Sequence, residues 1–365
     1  MGEGLQARPV IALLTARHPE LQVAYTFFSP SAAEFGRSVG ADFADYLPFD
    51  TVRGMRRAVA ALRPTALVFS KLDLWPRLAE CAARQGVRTG IFSATMSAGS
   101  GRASRLAAML LGDAYRSLDA VGAISPADAD RLVALGVRGD RVAVTGDTRY
   151  DQVWARARAA DRHGALLGPL ASTRATLVAG STWPADEAVL FEAWPVLRRR
   201  VPDARLIIAP HEPTAAHLAN VERFAARAGL STARLGGETQ ARADIVLVDR
   251  TGVLGDLYAL AGAAFVGGGF HAAGLHSVIE PAAFGAPVLF GPRNGASRDA
   301  LLLAGAGGGF AVANATELSM RLISLLALPA AREAAGDRAR GVVESGLGAA
   351  ERSAELVEGL LYRQS

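Results

Sequence analysis

Short apolar runs of strand length alternate with segments of helical periodicity along both halves of this chain. Such alternation is typical of parallel α/β sheets whose strands are joined by crossover helices. In the first half we predict strands at residues 22–27, 45–46, 66–69, 89–92, 120–123 and 142–145. In the second half we predict strands at residues 176–179, 205–209, 245–248, 263–266 and 287–290. The pattern therefore predicts an α/β protein with two Rossmann-like domains and a cleft between them.

The length of the chain is consistent with two such domains. At 365 residues it exceeds what one hydrophobic core usually organises. We assign residues 1–155 to an N-terminal domain and residues 156–345 to a C-terminal domain, with a linker helix and hinge in the Arg- and Ala-rich stretch 154–169. The last segment, 346–365, is predicted to contain an amphipathic helix at 351–362 with no strand after it.

The first domain lacks the strand with which an α/β domain normally opens. A loop-like sequence, GEGLQA, follows Met1 directly. We expect either that the chain is a truncated reading of a longer gene, or that the first domain misses a central strand and exposes the neighbouring edges.

Composition narrows the class of protein further. Half of the residues are hydrophobic and 20% are charged, which excludes a disordered or fibrous chain. No apolar stretch reaches the roughly 18 residues that a membrane span needs, and the first ten residues lack the apolar centre of a signal peptide. As written, the protein is therefore expected to be soluble and cytoplasmic. Cys81 is the only cysteine, so neither disulfides nor a cysteine-based metal site are expected.

The charge balance indicates anionic partners. The chain has 39 basic and 35 acidic residues and a pI near 9.6, which favours phosphates or an anionic membrane surface. It has no basic run with interleaved aromatic residues, so nucleic acid is not an expected partner. Lys71 is the only lysine among the basic residues. Its place after a predicted strand fits either a ligand contact or an ordinary solvated side chain.

In open parallel sheets, ligands bind beside the carboxyl ends of the strands, so the loops there are candidate sites. Ser181 and Thr182 follow the strand predicted at 176–179, and their hydroxyls and amides could meet a phosphate or simply cap the next helix. His211 follows the strand predicted at 205–209, where an imidazole could meet a phosphate or a sugar carboxylate, or belong to a structural turn.

A glycine-rich loop follows another predicted strand of the second half. Gly267, Gly268 and Gly269 permit close approach of the backbone to a ligand. His276 and Ser277 lie just ahead of a predicted helix, whose N-terminus would offer oriented N–H donors to an anion.

Glu280 lies one turn into that predicted helix, which spans residues 278–284. A carboxylate there can accept hydrogen bonds from both hydroxyls of a ribose, or it can simply complement the helix dipole. Together with the glycine-rich loop, it favours a ribose.

The first half offers three further candidates. Glu3 lies at the tip of the predicted first loop facing the cleft, where a general base for a hydroxyl acceptor would lie, although a terminal glutamate can also be merely solvated. Lys71 and Asp73 follow the strand predicted at 66–69 and point the same way, as sugar or acceptor contacts or, for Asp73, as a helix cap.

Other chemistries have no motif in this sequence. There is no zinc spacing, Walker loop or Gly-x-Ser-x-Gly elbow, so metal-dependent hydrolysis, ATP hydrolysis and serine-hydrolase chemistry are not supported. His18, His163 and His217 have no evident partner in sequence and are predicted to be surface residues.

Seven stretches, taken in order, resemble the 3-deoxy-D-manno-octulosonic acid (Kdo) transferase family of lipid A biosynthesis over nearly the whole chain. They are GEGLQARPV, YLPFD, LDLWPRL, ISPADADRLVALGV with VTGDTRYDQ, GSTW, TGVLGDLYALAGAAFVGGGF and HSVIEPAAFGAPVLFGP. They resemble that family's Gly-Glu loop, Tyr-Leu-Pro-x-Asp motif, Glu-x-Glu-Leu-Trp-Pro-Asn motif, Ser-x-x-Asp-x-x-Arg helix with its Thr-Gly-Asn-x-Lys-Phe-Asp strand end, Ser-Thr-His loop, nucleotide-site run and His-Asn-Pro-Leu-Glu-Pro helix.

The resemblance implies a GT-B type glycosyltransferase that moves Kdo from CMP-Kdo to a lipid A precursor, with inversion and without metal or cofactor. It implies a peripheral position on the cytoplasmic side of the inner membrane. It also implies that the last segment, 346–365, packs back on the first domain. By position, Glu3 matches the family's catalytic base. Glu280, with the loops at 181–182 and 267–269, matches its CMP site.

The sequence also departs from the family. Lys71 and Asp73 stand where the family has glutamates, Trp183 stands for a histidine, His211 for an arginine and Ser277 for an asparagine. The strand and membrane-associated segment before the Gly-Glu loop have no counterpart. These departures leave open a related acidic donor sugar or another acceptor. The alternatives are a UDP-sugar transferase or epimerase with two Rossmann-like domains, and a non-catalytic sugar-nucleotide-binding homologue.

Overall fold

The computed structural model describes residues 4–71, 74–96 and 105–362. The chain divides into two compact units. The first unit consists of Met1–Gln152 and Gly346–Ser365, and the second of Val153–Ser345. None of the helices in the described part of the chain is long and apolar enough to cross a membrane.

All strands of the first unit pair in parallel. A two-stranded sheet joins β1 (Ala24–Phe27) to β2 (Phe43–Tyr46). A second sheet has the order β3-β4-β5-β6, with β3 (Ala66–Ser70), β4 (Arg88–Ala94), β5 (Ala120–Ala123) and β6 (Val142–Val144). All six strands predicted for this half are present, with ends that differ by no more than about two residues. In the described residues β1 and β3 do not pair with each other.

Eight helices pack with the sheets of the first unit in the described residues. They are α1 (Gly4–Arg17), α2 (Ala33–Ser38), α3 (Val52–Leu62), α4 (Pro76–Arg84), α5 (Arg105–Arg116), α6 (Pro126–Ala134), α7 (Arg149–Ala159), which continues into the second unit, and α15 (Ala349–Tyr362). Local capping explains several starts: the hydroxyl of Thr51 accepts from the Gly54 amide, and that of Ser125 accepts from the Asp128 amide.

The start of α1 differs from the sequence prediction. A loop was predicted for GEGLQA, whereas the chain is helical from Gly4 onward. The reason is tertiary packing: Val10 and Leu14 are buried against Phe92 of β4 and Val357 of α15. Burial of this apolar side overrides the weak helix propensity of a glycine-rich start.

The last helix, α15, packs within the first unit. Its N-terminus is held by Asp151, whose carboxylate accepts the Gly348 amide at 2.7 Å and the Ala350 amide at 2.9 Å. The Arg352 guanidinium donates to the carbonyl of Thr145 at 2.9 Å. A carboxylate at a helix N-terminus satisfies amides that have no partner inside the helix.

The second unit contains one parallel sheet of seven strands in the order β13-β12-β11-β7-β8-β10-β9. These strands are β7 (Thr176–Thr182), β8 (Arg205–Pro210), β9 (Thr232–Arg234), β10 (Ile245–Leu247), β11 (Ala263–Val266), β12 (Val288–Phe290) and β13 (Gly309–Ala311). The sequence analysis missed β9 and β13, both three-residue strands at the sheet edges. Neither carries the apolar run on which the strand predictions depend.

Helices flank this sheet on both faces and enclose two apolar clusters. They are α8 (Pro184–Arg200), α9 (Ala215–Arg227), α10 (Leu254–Leu257), α11 (Ile279–Ala283), α12 (Arg298–Ala306), α13 (Ala315–Ala327) and α14 (Pro329–Ser345). The fully buried Trp194 lies in one cluster and Val178 in the other. The predicted linker helix at 154–169 is only partly helical, because α7 ends at Ala159 and Leu167 and Leu170 then enter the core of the second unit.

Candidate functional site

The strand order of the second unit creates a point where successive connections run in opposite directions. Strand β7 pairs with β8 on one side and with β11 on the other. The connection after β7 leads to β8 on one side, and the connection after β11 leads to β12 on the other side. Open α/β sheets bind ligands at the carboxyl ends of the two strands where the connections diverge in this way. The Gly267 amide, directly after β11, donates to the carbonyl of Gly180 in β7 at 2.9 Å. Residues 181 and 182 were predicted to lie in a loop after the strand, whereas they are the last two residues of β7. Ser181 there has a left-handed backbone with a φ of +53°.

The glycines of the second loop are required by the packing of the protein itself. A Cβ atom added to Gly267 would collide with the carbonyl oxygen of Ser181, and one added to Gly269 would collide with the Gly291 amide. Gly268 has a φ of +92°, and a Cβ there would meet the Gly274 carbonyl. Internal contacts thus account for all three glycines, so their presence does not by itself indicate a ligand.

Asp186, which the sequence analysis missed, joins the two loops. It lies in the first turn of α8 and is fully buried. Its carboxylate accepts hydrogen bonds from the backbone amides of Trp183 at 2.9 Å, Gly268 at 2.7 Å and Phe270 at 3.0 Å. An acidic residue three positions after a helix N-cap is the signal that would have identified it.

Trp183 is surrounded by three imidazoles. Its ring stacks on His271, with centroids 4.3 Å apart and planes at 9°, and on His211, with centroids 4.5 Å apart and planes at 28°. Its indole N–H donates to Nε2 of His276 at 3.2 Å. We call Trp183, His211, His271 and His276 the tryptophan–histidine cluster. The sequence analysis predicted His211 and His276 as site residues, whereas it assigned no role in the site to His271 or Trp183.

The protonation state of His276 follows from this geometry. An indole N–H can only donate, so Nε2 of His276 is the acceptor and its neutral ring carries the proton on Nδ1. Burial lowers the pKa of His276, and the nearby His211 lowers it further, against an opposing effect of Asp186. His276 is therefore neutral at neutral pH. In the described part of the chain, no three His, Cys, Asp or Glu residues are arranged to hold a metal ion.

Glu280 lies in a second polar cluster of the same unit. Burial raises the pKa of its carboxyl, while the charge of Arg156 and a hydrogen bond with Ser277 lower it. Arg156 is itself held by Asp256 through two hydrogen bonds of 2.8 and 3.0 Å. The structure thus brings Ser277 and Glu280 together, as the sequence analysis expected for one site.

The helix that carries Glu280 is shorter than predicted. It spans only Ile279–Ala283, so Glu280 is its second residue and does not lie one turn inside it. A helix of little more than one turn aligns few peptide dipoles. The predicted anion site at its N-terminus therefore has little electrostatic basis.

Thr182 and His217 are placed differently from their predictions. Thr182 is fully buried, and its hydroxyl lies 2.7 Å from Oε1 of Glu187. A direct contact with a nucleotide would require that hydroxyl to leave Glu187. His217, predicted as a surface residue, has a side chain only 10% exposed and an Nε2 atom 2.8 Å from the same Oε1. His18 likewise pairs with Glu358 at 3.1 Å. Partners so distant in sequence leave no local signal.

In the first unit, the structure describes Lys71, whereas Glu3 and Asp73 lie outside the described residues. Lys71 follows β3 directly and has a left-handed backbone with a φ of +62°. Its amide donates to the carbonyl of Phe92 at 2.9 Å.

A buried polar network lies beside the first turn of α1. The Gln6 side chain donates to Asp147 at 3.4 Å, and the hydroxyl of Thr148 donates to the Gln6 carbonyl at 2.9 Å. The hydroxyls of Ser93 and Thr148 lie 3.1 Å apart. This network ties α1 to the carboxyl ends of β4 and β6. The sequence analysis matched the run VTGDTRYDQ to a family motif without recognising this role.

An exposed aromatic group lies at the carboxyl ends of β1, β2 and β3. The Phe28 ring packs against Phe49 at 5.6 Å and against Trp75 at 5.3 Å between centroids. Phe49 is 76% exposed. The neighbouring helix α3 presents three exposed arginines: Arg53, Arg56 and Arg57. We call Phe28, Phe49 and Trp75 the aromatic patch.

Known proteins resemble this chain over most of its length. A family model described as 3-Deoxy-D-manno-octulosonic-acid transferase (kdotransferase) matches residues 1–152. A 3-deoxy-D-manno-octulosonic acid transferase of Bordetella pertussis is 31% identical over 373 aligned residues, which cover 98% of this chain and 85% of that protein. The protein of that name from Aquifex aeolicus is 25% identical and covers 90% of this chain and 84% of its own.

Solved structures with a similar fold have lower sequence identity. UDP-GlcNAc 2-epimerase from Neisseria meningitidis has a TM-score of 0.71 at 12% identity and covers 98% of this chain and 97% of its own. A glycosyltransferase from Rickettsia africae has a TM-score of 0.62 at 10% identity, with coverage of 99% and 96%. At such identities the likeness concerns the fold alone. It confirms the predicted GT-B fold with two Rossmann-like domains.

The family prediction is confirmed by the relative from Bordetella pertussis, which matches nearly the whole chain. Matches to the first unit alone would leave the second unit, with its switch-point loops, unassigned. Because the alignment spans both units, the chain belongs to the 3-deoxy-D-manno-octulosonic acid transferase family and is a glycosyltransferase.

Proposed function

We propose that the protein transfers Kdo from CMP-Kdo to a lipid A precursor during lipopolysaccharide synthesis, with inversion and without a metal ion or cofactor. The observation that carries this proposal is the switch-point site of the second unit, where Glu280 and the tryptophan–histidine cluster lie in a chain of the Kdo transferase family.

We assign the nucleotide of the donor to the second unit. A partly buried carboxylate at Glu280, oriented by Ser277, suits both hydroxyls of a ribose, because each can donate a hydrogen bond to it. Ser181 remains partly exposed and contributes a hydroxyl. Thr182 is buried next to Ser181 and contributes only indirectly, as part of the structure that supports the site.

Three amides of the glycine loop already have acceptors within the protein. The Gly268 and Phe270 amides are bound by Asp186, and the Gly267 amide is bound by the Gly180 carbonyl. We therefore assign the phosphate and the Kdo carboxylate mainly to side chains. His211 is exposed, His271 is partly exposed, and both stack on Trp183, so we assign this contact to them.

The chemical step follows from the assigned roles. A hydroxyl of the acceptor attacks the anomeric carbon of Kdo, and CMP leaves with the bonding electron pair. Glu3 takes the proton of that hydroxyl, as its position in the Gly-Glu loop implies. Lys71 and Asp73 contact the sugar or the acceptor. The buried network of Gln6, Asp147 and Thr148 supports the helix that follows Glu3.

The acceptor side involves the membrane surface. Exposed aromatic rings beside basic side chains bind membrane interfaces, because the rings enter the headgroup region while the charges attract anionic lipid. The aromatic patch with the arginines of α3 has this composition. We propose a peripheral position on the cytoplasmic face of the inner membrane, without nucleic acid as a partner.

The test is incubation with CMP-Kdo and a tetraacylated lipid A precursor, followed by mass spectrometry of the lipid. We expect a lipid heavier by one or more Kdo residues. Parallel reactions with UDP-GlcNAc and with UDP-GlcNAc plus the lipid test the UDP-sugar alternatives. Turnover of UDP-GlcNAc without Kdo transfer would contradict the proposal. CMP binding without any product would favour a non-catalytic sugar-nucleotide binder.

A further inference from the structure

Glu187 lies buried beneath the loops of the candidate site and contacts two other elements. It is 2% exposed and belongs to the first turn of α8. Its Oε1 atom lies 2.7 Å from the hydroxyl of Thr182, at the end of β7, and 2.8 Å from Nε2 of His217, in the first turn of α9. None of these contacts is used by the transfer step described above.

The hydrogen bonds of His217 show that its Nδ1 atom carries a proton. Its Nδ1 atom lies 3.1 Å from the carbonyl oxygen of Glu212. A carbonyl oxygen only accepts, so Nδ1 carries a proton. The close approach of Nε2 to Oε1 of Glu187 then needs one further proton between them, on the imidazole or on the carboxyl. Burial raises the pKa of Glu187, while Thr182 and His217 lower it.

These contacts hold the loop that carries His211. The amide of His211 donates to the Thr182 carbonyl at 2.9 Å, on the β7 side. The next residue, Glu212, is held through its carbonyl by His217. The loop is thus fixed at two consecutive residues by β7 and α9. Glu187 joins these two supports, because it binds the side chains of both Thr182 and His217.

We propose that Glu187 and His217 are positioning residues for the donor site, a buried pair that holds His211 against Trp183. In this position the imidazole of His211 stacks on the indole ring at 4.5 Å between centroids. The role in donor binding rests on the function proposed above. The ordering of the loop does not depend on that function.

The loop ordering can be measured without any ligand. Hydrogen–deuterium exchange of the peptide covering residues 210–214 reports the amides of His211, Glu212 and Thr214. We expect His217→Ala and Glu187→Ala to accelerate exchange at His211 and Thr214 by roughly tenfold or more, because the loop loses one of its two supports. Glu187→Gln should stay close to the unmodified protein, since its amide can donate to Nε2 of a neutral imidazole. Glu192→Ala, an exposed glutamate on the same helix, is the matched control.

If the alanine variants unfold, a variant that keeps the volume of the side chain tests the proposal instead. His217→Gln leaves the buried space filled but cannot reproduce both imidazole contacts in the same geometry. We expect it to accelerate exchange at His211 while its thermal unfolding stays near that of Glu192→Ala. Unchanged exchange in folded His217→Gln, or in a folded Glu187→Ala, would overturn the proposal.

Kinetics then test the connection to the donor. His217→Ala or His217→Gln should raise KM for CMP-Kdo, with little change in kcat or in KM for the acceptor. In a His211→Ala background the same change should add little, because residues that act through one another are not additive. Additive effects on donor KM would overturn the positioning role. If CMP-Kdo is not turned over at all, the exchange experiment still decides the loop ordering, so the two failures are distinguishable.

Discussion

At the scale of single residues, Glu280 is the acidic side chain on which nucleotide binding is expected to depend most. We expect Glu280→Gln to weaken CMP binding by about 1 to 3 kcal/mol, because an amide replaces a charged acceptor of ribose hydrogen bonds. Isothermal titration calorimetry measures this directly, with Glu192→Gln as the exposed control. Equal affinity in both variants would remove the ribose role from Glu280.

The histidine that accepts the Trp183 indole N–H, His276, predicts a pH dependence of stability. The pKa of His276 is lowered in the folded protein, so folding opposes its protonation. The stability contribution of neutral His276 is present above the unfolded pKa of about 6.5, and it is lost as pH falls toward the lowered folded pKa. His276→Gln should therefore flatten the dependence of thermal unfolding on pH just below neutrality. His163→Gln, at an exposed histidine, should leave the dependence unchanged, and an equal effect of both would contradict the assignment.

Replacement of Glu3, the proposed catalytic base, should reduce turnover and leave nucleotide binding unchanged. Removing a positioned carboxylate that accepts a proton typically costs about 10² to 10⁴-fold in the chemical step. We expect Glu3→Gln to lose most Kdo transfer, measured by mass analysis of the lipid, while CMP affinity stays unchanged. Near-normal turnover of this variant would mean that another group accepts the proton.

At the scale of elements, Asp186 joins two loops and the start of a helix through one carboxylate. Asp186→Ala would leave three backbone amides without their partner, and each unsatisfied buried amide costs about 1 to 3 kcal/mol. We expect a drop in stability of about 3 kcal/mol or more, seen by calorimetry as earlier unfolding of the second unit. Asp186→Asn keeps one acceptor oxygen and should lose less. A drop no larger than that of Asp203→Asn, a substitution in an exposed loop, would show that the amides find other partners.

Strands with an unbroken apolar run were predictable from the sequence, whereas three-residue strands at the sheet edges were not. The strand at Ala263–Val266 was predicted with its observed bounds because four consecutive apolar residues are buried in the sheet centre. Strand β9, with the sequence Thr-Ala-Arg, has exposed ends and no such run. The first turn of α1 was predicted to be loop-like, because its helix depends on packing against α15. Local patterns record burial along one segment, but not the partner that a segment will meet.

The candidate site was predictable where a motif marks it and hidden where distant residues converge. His276 and Glu280 were predicted from their motif, and the structure places Ser277 beside Glu280. His271 was assigned no role in the site, because only the folded loop brings it onto Trp183. His217 was taken for a surface residue, although Glu187, 30 positions away, binds it in the interior. Such contacts arise from topology and leave no spacing to recognise.

At the scale of the whole molecule, the two units present surfaces of different chemistry. The second unit concentrates imidazoles and a carboxylate at its switch point. The first unit exposes the aromatic patch beside the arginines of α3. This division matches a transferase that binds a water-soluble nucleotide sugar with one unit and a lipid with the other.

The aromatic patch makes the membrane proposal testable with vesicles. Each arginine near an anionic surface contributes about 1 kcal/mol, or about fivefold in binding, and this attraction weakens with salt. We expect Arg56→Glu to reduce co-sedimentation with phosphatidylglycerol-containing vesicles by at least about fivefold, and to reduce the salt dependence of what remains. Phe49→Ser should weaken binding at every salt concentration, because the ring at 76% exposure contributes through apolar contact. Met320→Ser, at an apolar side chain 66% exposed on the second unit, is the matched control and should bind normally. If Met320→Ser and Phe49→Ser lose binding equally, the vesicles detect general surface hydrophobicity, and the acceptor must be reached without this patch.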